Sequence, residues 1–289
     1  MEDGCSIDVR RHESEIGSWE MASRPAHPQL GAHVVSYTGY RENTRGPIRR
    51  REVPSGIITL IISFGEPLRL VRMPDPRLPA STFTSFVAGL HTTPAVTEHD
   101  GTQHGIEVRL TPLGGRALLD VPMRELTNTV TRLDELLGAR AGSLAAQLAE
   151  ARDWDQRFAT LDEALAAAIE SGPAPSLEVD HAWRRLCCSS GRASIGELAR
   201  DVGWSHRHLI ARFREQVGLP PKALARVLRF ERALNILRGV RPRPLAEVAL
   251  AAGYYDQAHL NREFRALAGC TPRELQAAQL PDDGGTLSS

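Results

Sequence analysis

The feature of the sequence that most limits its possible folds is an internal repeat in the C-terminal third of the chain. Four residues recur fifty positions later, with Glu197, Ala199, Gly203 and Trp204 matched by Glu247, Ala249, Gly253 and Tyr254. The offset then becomes fifty-one, with His208, Leu209, Phe213, Arg214, Gly218 and Pro221 matched by His259, Leu260, Phe264, Arg265, Gly269 and Pro272. One extra residue in the second turn explains the change, so the repeat predicts two copies of one structural unit.

Each copy has the pattern of two helices joined by a short turn. Apolar residues recur at helical spacing on both sides of a glycine, Gly203 in the first copy and Gly253 in the second. Ser205 and Asp256 are residue types that cap helix N-termini. A long helix with an apolar stripe is predicted between the copies, over residues 221–238. This arrangement is the helix-turn-helix motif, whose second helix enters the major groove of DNA.

The outer faces of the two second helices carry side chains that suit DNA. Arginine pairs with guanine through two hydrogen bonds, and asparagine or glutamine pairs with adenine in the same way. The residues predicted to read bases are Arg207, Ile210, Ala211, Gln257, Ala258, Asn261 and Arg262. The residues predicted to contact the DNA backbone are Ser205, His206, Arg212, Arg214, His259 and Arg265. A polar outer face is also typical of any solvated helix, but two copies in tandem favour DNA binding.

Residues from about 180 to 280 resemble the AraC/XylS-type DNA-binding module. The second copy carries its most characteristic sequence, A-x-x-x-G-Y-Y-D-Q-A-H-L-N-R-E-F-R-x-x-x-G-C-T-P from Ala249 to Pro272. The resemblance implies a monomer that presents two helix-turn-helix units, bridged by a long helix, to successive major grooves on one side of the duplex. It also implies a transcription regulator whose partners are double-stranded DNA and RNA polymerase. The sequence departs from the family at Ala211, where a basic residue is frequent, so base reading by the first unit is less strongly implied.

The N-terminal part of the chain has a different pattern. Residues 30–111 alternate short apolar runs with turn residues, which predicts a small antiparallel sheet or barrel. Helical spacing follows over residues 133–138, 143–151 and 154–170. The predicted fold class is therefore α+β, with a strand-rich domain and trailing helices before an all-α double helix-turn-helix domain.

The predicted domain boundaries follow these changes of pattern. Residues 1–25 and 281–289 are predicted to be flexible tails, residues 26–171 a strand-rich effector or dimerisation domain, and residues 177–280 the DNA-binding domain. Residues 172–176 form the linker, since Gly, Pro and Ser accumulate there.

Charge divides the chain in the same way. The formal net charge is −5 over residues 1–175 and +5 over residues 176–289. Such asymmetry favours a nucleic-acid-facing module joined to another domain. The first 175 residues resemble the sensory domain of some AraC/XylS members, which implies a small-molecule or signalling effector and a homodimer.

Other chemistry was weighed against this interpretation. His91, His99 and His104 cluster around a predicted strand edge, but the paired histidines and downstream glutamate of a cupin-like metal site are absent. We therefore predict no metal, no cofactor and no catalytic residue. The longest apolar run, within residues 57–62, is too short to span a membrane, and no signal peptide precedes it, which predicts a cytoplasmic protein without membrane contact. The alternatives are a metal- or ligand-dependent enzyme domain fused to a helix-turn-helix, and a scaffold that does not bind nucleic acid.

Overall fold

A computed structural model of the protein describes residues 6–239, 241–280 and 285–288. Nine strands lie in the described part of the N-terminal half: β1 Asp8–Glu13, β2 Gly17–Pro25, β3 Val34–Glu52, β4 Ile58–Ser63, β5 Leu68–Arg72, β6 Ser81–Phe83, β7 Phe86–Ala88, β8 Ala95–Leu110 and β9 Val130–Arg132. They form one sheet in the order β1-β2-β3-β8-β4-β7-β9, with β5 paired to β8 and β6 paired to β5. The pairings are antiparallel throughout.

Eleven α-helices lie in the described residues: α1 Pro112–Leu119, α2 Leu133–Leu137, α3 Ala139–Glu150, α4 Trp154–Ser171, α5 Leu177–Cys188, α6 Ile195–Asp201, α7 His206–Val217, α8 Pro221–Leu237, α9 Leu245–Ala252, α10 Gln257–Ala268 and α11 Pro272–Ala277. The predicted α+β class is confirmed. Helix α1 was not predicted from the sequence; its start is fixed by Thr111, whose side chain accepts a hydrogen bond from the Gly114 N–H. The predicted linker 172–176 lies between α4 and α5.

The long strands β3 and β8 organise the sheet. They pair with each other from Val34–Leu110 to Glu52–Ala95. On its other edge β8 pairs with β4 near its C-terminal end and with β5 near its N-terminal end. Side chains alternate between the two faces of each strand. Ile58 and Ile62 of β4 and Ile106 of β8 are among those that are buried.

The prediction of a flexible tail over residues 1–25 is wrong from Asp8 onward. β1 pairs with β2, and β2 pairs along β3 over its whole length. The physical reason is burial at period two, since Trp19 and Met21 are 3% and 7% exposed on the inner face of β2. Residues 1–5 lie outside the described residues.

The prediction of a C-terminal tail is also wrong where the structure describes it. Leu287 forms an antiparallel bridge with Arg50 of β3, and Thr286 forms one with Gln279. The Arg51 N–H donates to the Thr286 carbonyl at 2.7 Å, because β2 does not extend along this part of β3 and leaves its edge groups open. Residues 281–284 and 289 lie outside the described residues.

Helix α4 packs on the sheet through three polar contacts and one close approach. The Trp154 Nε1–H donates to Glu20 at 3.0 Å, and this hydrogen bond lowers the pKa of the Glu20 carboxyl. Asp162 accepts from the Tyr37 hydroxyl at 2.8 Å and is also paired with Arg24. A Cβ at Gly39 would lie 2.2 Å from the Trp154 ring, so this strand position requires glycine.

One large hydrophobic cluster joins the sheet to the helical half. It runs from sheet residues such as Ile106 to helical residues such as Phe213 and Phe264 without interruption. Helix α7 contacts α1 and the 3-10 turn Met123–Leu126. The helical half is therefore docked on the sheet domain rather than tethered to it.

Candidate nucleic-acid interface

The first helix-turn-helix consists of α6, a turn at Gly203 and α7. Ser194 and Glu197 form a reciprocal capping box at the start of α6. Gly203 has φ 69°, a left-handed conformation that glycine adopts without strain. Ser205 then caps α7 by accepting a hydrogen bond from the His208 N–H at 3.2 Å. The sequence of this turn therefore sets both the end of α6 and the start of α7.

The second helix-turn-helix repeats this geometry with α9, Gly253 and α10. Gly253 has φ 89°, and Asp256 caps α10 by accepting from the His259 N–H at 2.6 Å. Its turn aromatic, Tyr254, packs edge-on against His259 with ring centroids 5.2 Å apart. The matched pair in the first copy is Trp204 and His208, which pack edge-on at 4.5 Å. The sequence repeat is therefore also a structural repeat.

Helix α8 lies between the two units and packs against helices of both. Arg226 forms two hydrogen bonds, at 3.0 and 3.1 Å, with Glu263 of α10. Two further arginines of α8 reach other segments, since Arg229 donates to the Gly191 carbonyl before α6 and Arg232 donates to the Ala251 carbonyl of α9. Helix α8 thus hydrogen-bonds to the second unit and to the loop that leads into α6, and it also packs against α7 of the first unit.

Most of the residues predicted to read bases lie on the exposed faces of α7 and α10. The exposed members are Arg207, Ile210, Ala211, Gln257, Ala258 and Arg262. Asn261 differs, because it is half-buried and its Oδ1 is enclosed without accepting a hydrogen bond from any described residue. Its carbonyl oxygen would have to turn outward to meet a base.

The residues predicted to contact the DNA backbone divide into two groups. His206, Arg214 and Arg265 are exposed. Three others already have an intramolecular role: Ser205 caps α7, Arg212 pairs with Glu215 at 2.7 Å, and His259 packs against Tyr254. Ser205 is exposed as well, but its hydroxyl is engaged in the cap, so the first group is better placed for phosphate contact than the second.

Tyr255 was missed by the sequence analysis although it lies between these features. It is the extra residue of the second turn and directly precedes the cap of α10. Its side chain is 87% exposed, the highest value among the large exposed hydrophobic residues described. The change of repeat offset from fifty to fifty-one was the sequence signal that could have identified it.

The sheet domain encloses a second group of polar side chains. Glu42 accepts a hydrogen bond from Arg50 at 2.7 Å, and its Oε2 lies 3.3 Å from His99 Nε2. Burial opposes ionisation of Glu42, but the contacts from His99 and Arg50 outweigh it and lower the pKa of this carboxyl. Nearby, Thr97 donates to Glu52, whose pKa is raised by burial.

The three histidines considered for a metal site have separate environments. His91 Nδ1 lies 2.7 Å from the Thr93 carbonyl, His99 belongs to the Glu42 group, and the His104 ring packs edge-on against Phe64. Within residues 6–239, 241–280 and 285–288, no three His, Cys, Asp or Glu side chains converge as metal ligands. No helix in this part of the chain is long and apolar enough to cross a membrane.

Comparisons with known protein families match two separate parts of the chain. Residues 179–278 match the family model described as Helix-turn-helix domain, and residues 23–132 match one described as Domain of unknown function (DUF6597). The fold thus defines a domain of two helix-turn-helix units, whose second helices, α7 and α10, are the recognition helices. Residues 179–278 belong to the AraC-type helix-turn-helix family.

Two curated relatives are similar over a limited length. The uncharacterized HTH-type transcriptional regulator YbfI of Bacillus subtilis (strain 168) is 29% identical over 99 residues, which is 32% of this chain and 33% of that protein. The putative HTH-type transcriptional regulator YkgA of Escherichia coli (strain K12) is 32% identical over 83 residues, which is 29% of this chain and 34% of that protein. The chain thus spans about a third of the length of the curated relatives it matches.

Solved structures show weaker similarity in sequence. The crystal structure of ToxT from Vibrio cholerae O395 aligns with 80% of this chain and 96% of its own, at 9% identity and a TM-score of 0.47. The C-terminal domain of AraT, a response regulator from Geobacillus stearothermophilus, aligns with 39% of this chain and 93% of its own, at 19% identity and a TM-score of 0.35.

Proposed function

We propose that the protein is a transcription regulator that binds double-stranded DNA sequence-specifically through α7 and α10. The observation that carries the proposal is that two equivalent helices, α7 and α10, each with an exposed polar face, both pack against the same helix, α8. A solvated surface helix has no need of a matched second copy packed against the same central helix. Two docked recognition helices need both features, because successive major grooves lie at fixed spacing.

Helix α10 is proposed as the main reader of base edges. Gln257 and Arg262 are exposed on it, and these residue types discriminate adenine and guanine through paired hydrogen bonds. Helix α7 offers Arg207 for the same purpose, while Ile210 and Ala211 suit apolar contact with a thymine methyl group. The two units are therefore expected to specify different numbers of base positions.

The DNA backbone is proposed to contact the flanks of the same helices. His206, Arg214 and Arg265 are exposed there and carry donors suited to phosphate oxygens. Tyr255 joins this group, because it is exposed and directly precedes Asp256, the residue that caps α10. Such contacts position the protein on DNA, and their loss weakens binding to all sequences alike.

The test is selection of binding sites from random DNA with the purified full chain, followed by gel shifts on the selected site. The expected consensus has two half-sites about one helical turn apart. Insertion of half a turn between them should abolish most of the affinity, whereas Arg69→Ala, an exposed change in the sheet domain, should not alter it. Selection that returns no consensus, or affinity unchanged by the insertion, would refute binding by two recognition helices.

The sheet domain is proposed to receive a small-molecule or signalling input. An open surface groove of about 410 Å³ lies between α8 and the end of α5, beside the β3–β4 turn, and its lining residues belong to the DNA-binding domain. Glu231 of α8 lines this groove and accepts a hydrogen bond from the Gly56 N–H of the β3–β4 turn at 3.4 Å. An occupant would therefore contact a residue that links the DNA-binding domain to the sheet domain. The test is reciprocal coupling: a ligand that changes DNA affinity must bind more or less tightly by the same factor when DNA is present.

RNA polymerase and a second copy of the chain are proposed as protein partners, and the chain is proposed to act without catalysis. These proposals follow from the AraC-type domain and are tested by transcription in vitro with purified polymerase and by light scattering of the protein with and without operator. The alternative, a metal- or ligand-dependent enzyme domain fused to a helix-turn-helix, predicts stoichiometric metal in the purified protein or turnover of a ligand.

A further inference from the structure

Both recognition helices, α7 and α10, end against the sheet domain, and the carbonyls that it contacts are one residue apart in the repeat. The carbonyl of Gly218, which ends α7, accepts a hydrogen bond from the Thr127 hydroxyl at 3.0 Å. The carbonyl of Ala268, the last residue of α10, accepts one from Arg51 Nη1 at 3.0 Å. Gly218 and Gly269 occupy matched positions in the two copies, so one domain contacts the same end of both helices.

The packing is close around the end of α7 and looser around the end of α10. A Cβ at Gly218 would lie 3.1 Å from the Met123 carbonyl oxygen, and one at Gly269 would lie 3.4 Å from Pro94 Cγ. Gly218 and Gly269 have φ of 102° and 70°, so glycine is needed in both places for backbone conformation as well. The end of α7 is therefore enclosed by the sheet domain more tightly than the exposed end of α10.

These hydrogen bonds are well suited to fix a helix in place. The last carbonyls of a helix have no partner within the helix, so a donor supplied from another domain both satisfies them and orients the helix end. The Arg51 guanidinium also carries a positive charge, which is favourable at the negative end of the helix dipole. Because α8 already packs against both α7 and α10, the sheet domain supplies a second, separate bridge between the two units.

We infer that Thr127 and Arg51 are positioning residues through which the sheet domain fixes the separation of the two recognition helices and thereby the half-site spacing that the protein accepts. The inference rests on the proposed function, since spacing has meaning only for a protein that binds two half-sites. Thr127 and Arg51 bind the C-terminal ends of α7 and α10, whereas Ser205 and Asp256 cap the N-terminal ends. Neither Thr127 nor Arg51 is therefore expected to touch DNA.

The experiment measures the affinity of the full chain for its selected operator and for versions with one or two base pairs added or removed between half-sites. The variants are Thr127→Val, Arg51→Gln and the double variant. Matched controls are Thr82→Val and Arg69→Gln, both exposed positions on strands of the sheet domain. For wild type and controls, a change of one base pair should cost about tenfold in affinity, comparable with loss of one base contact.

The double variant should show a flattened spacing profile, with less than about threefold between neighbouring spacings, since a helix end without its hydrogen bond is free to adjust. In the Arg51→Gln background, Thr127→Ser, which keeps the hydroxyl, should give the spacing profile of Arg51→Gln alone rather than that of the double variant. A lower melting temperature or uniformly weaker binding with the wild-type profile retained would overturn the inference and leave the proposed function intact. If wild type itself selects no operator, the proposed function and the inference fail together.

Discussion

Replacing Phe264 with leucine should destabilise the protein more than the same replacement at Phe213, its equivalent in the first repeat. Both side chains are fully buried. The Phe264 ring packs edge-to-face with Phe230 at a centroid distance of 4.7 Å, whereas within the described residues Phe213 has no aromatic ring against it. The repeat therefore provides two phenylalanines that differ mainly in one aromatic contact.

The magnitude follows from separating the two contributions. Exchange of one large apolar side chain for another of similar volume costs about 1 kcal/mol at either site. Loss of an aromatic pair adds about 0.5–1.5 kcal/mol beyond the buried area. Phe213→Leu should therefore lower the free energy of unfolding by about 1 kcal/mol, and Phe264→Leu by about 2 kcal/mol.

Urea unfolding followed by far-ultraviolet circular dichroism measures both values. A double-mutant cycle with Phe230→Leu then isolates the ring pair, and its coupling energy should be about 1 kcal/mol. Equal destabilisation at the two positions, together with a coupling energy near zero, would show that the edge-to-face contact adds nothing beyond burial.

Three further predictions concern DNA binding and acid stability. Arg262→Ala should cost about 1–3 kcal/mol at the selected operator and relax one or two base positions, which repeated site selection measures; an unchanged consensus would make Arg262 a backbone contact. Tyr255→Phe should weaken binding to all sequences by about threefold while leaving the consensus unchanged, and a shift in consensus would instead make Tyr255 a base reader. Burial lowers the pKa of His104 from its usual 6.5 to about 4, so the unfolded chain binds a proton between these pH values and the folded chain does not. Stability should therefore fall from pH 6.5 to pH 4, and His104→Gln should lose less over this interval in acid titrations; an equal loss in both proteins would contradict that assignment.

The helix-turn-helix units were predictable from the sequence because their determinants are local. Gly203, Gly253, Ser205 and Asp256 lie within a few residues of the turns and caps that they fix, and the structure places each in that role. Capping and left-handed glycine act through the neighbouring backbone, so the sequence pattern alone carries them.

The contacts that join the two domains were not predictable in this way. Thr127 and Gly218 are 91 residues apart, and Arg51 and Ala268 are 217 residues apart. Each contact uses a backbone carbonyl as acceptor, which leaves no pattern in the side chains. The bridge between Arg50 and Leu287 is of the same kind, since strand edges pair through backbone groups that every residue carries.

The position of β8 in the sheet has a consequence for the order of folding. β3, β4 and β5 all pair with β8, although β8 follows each of them in the chain. Such distant pairings close large loops and form slowly, whereas the helix-turn-helix units rely on neighbours close in sequence and form fast. During refolding, α7 and α10 should thus acquire their helical structure before the sheet can receive their ends. The last step in producing a competent DNA-binding surface would then be assembly of the domain that contains none of the recognition residues.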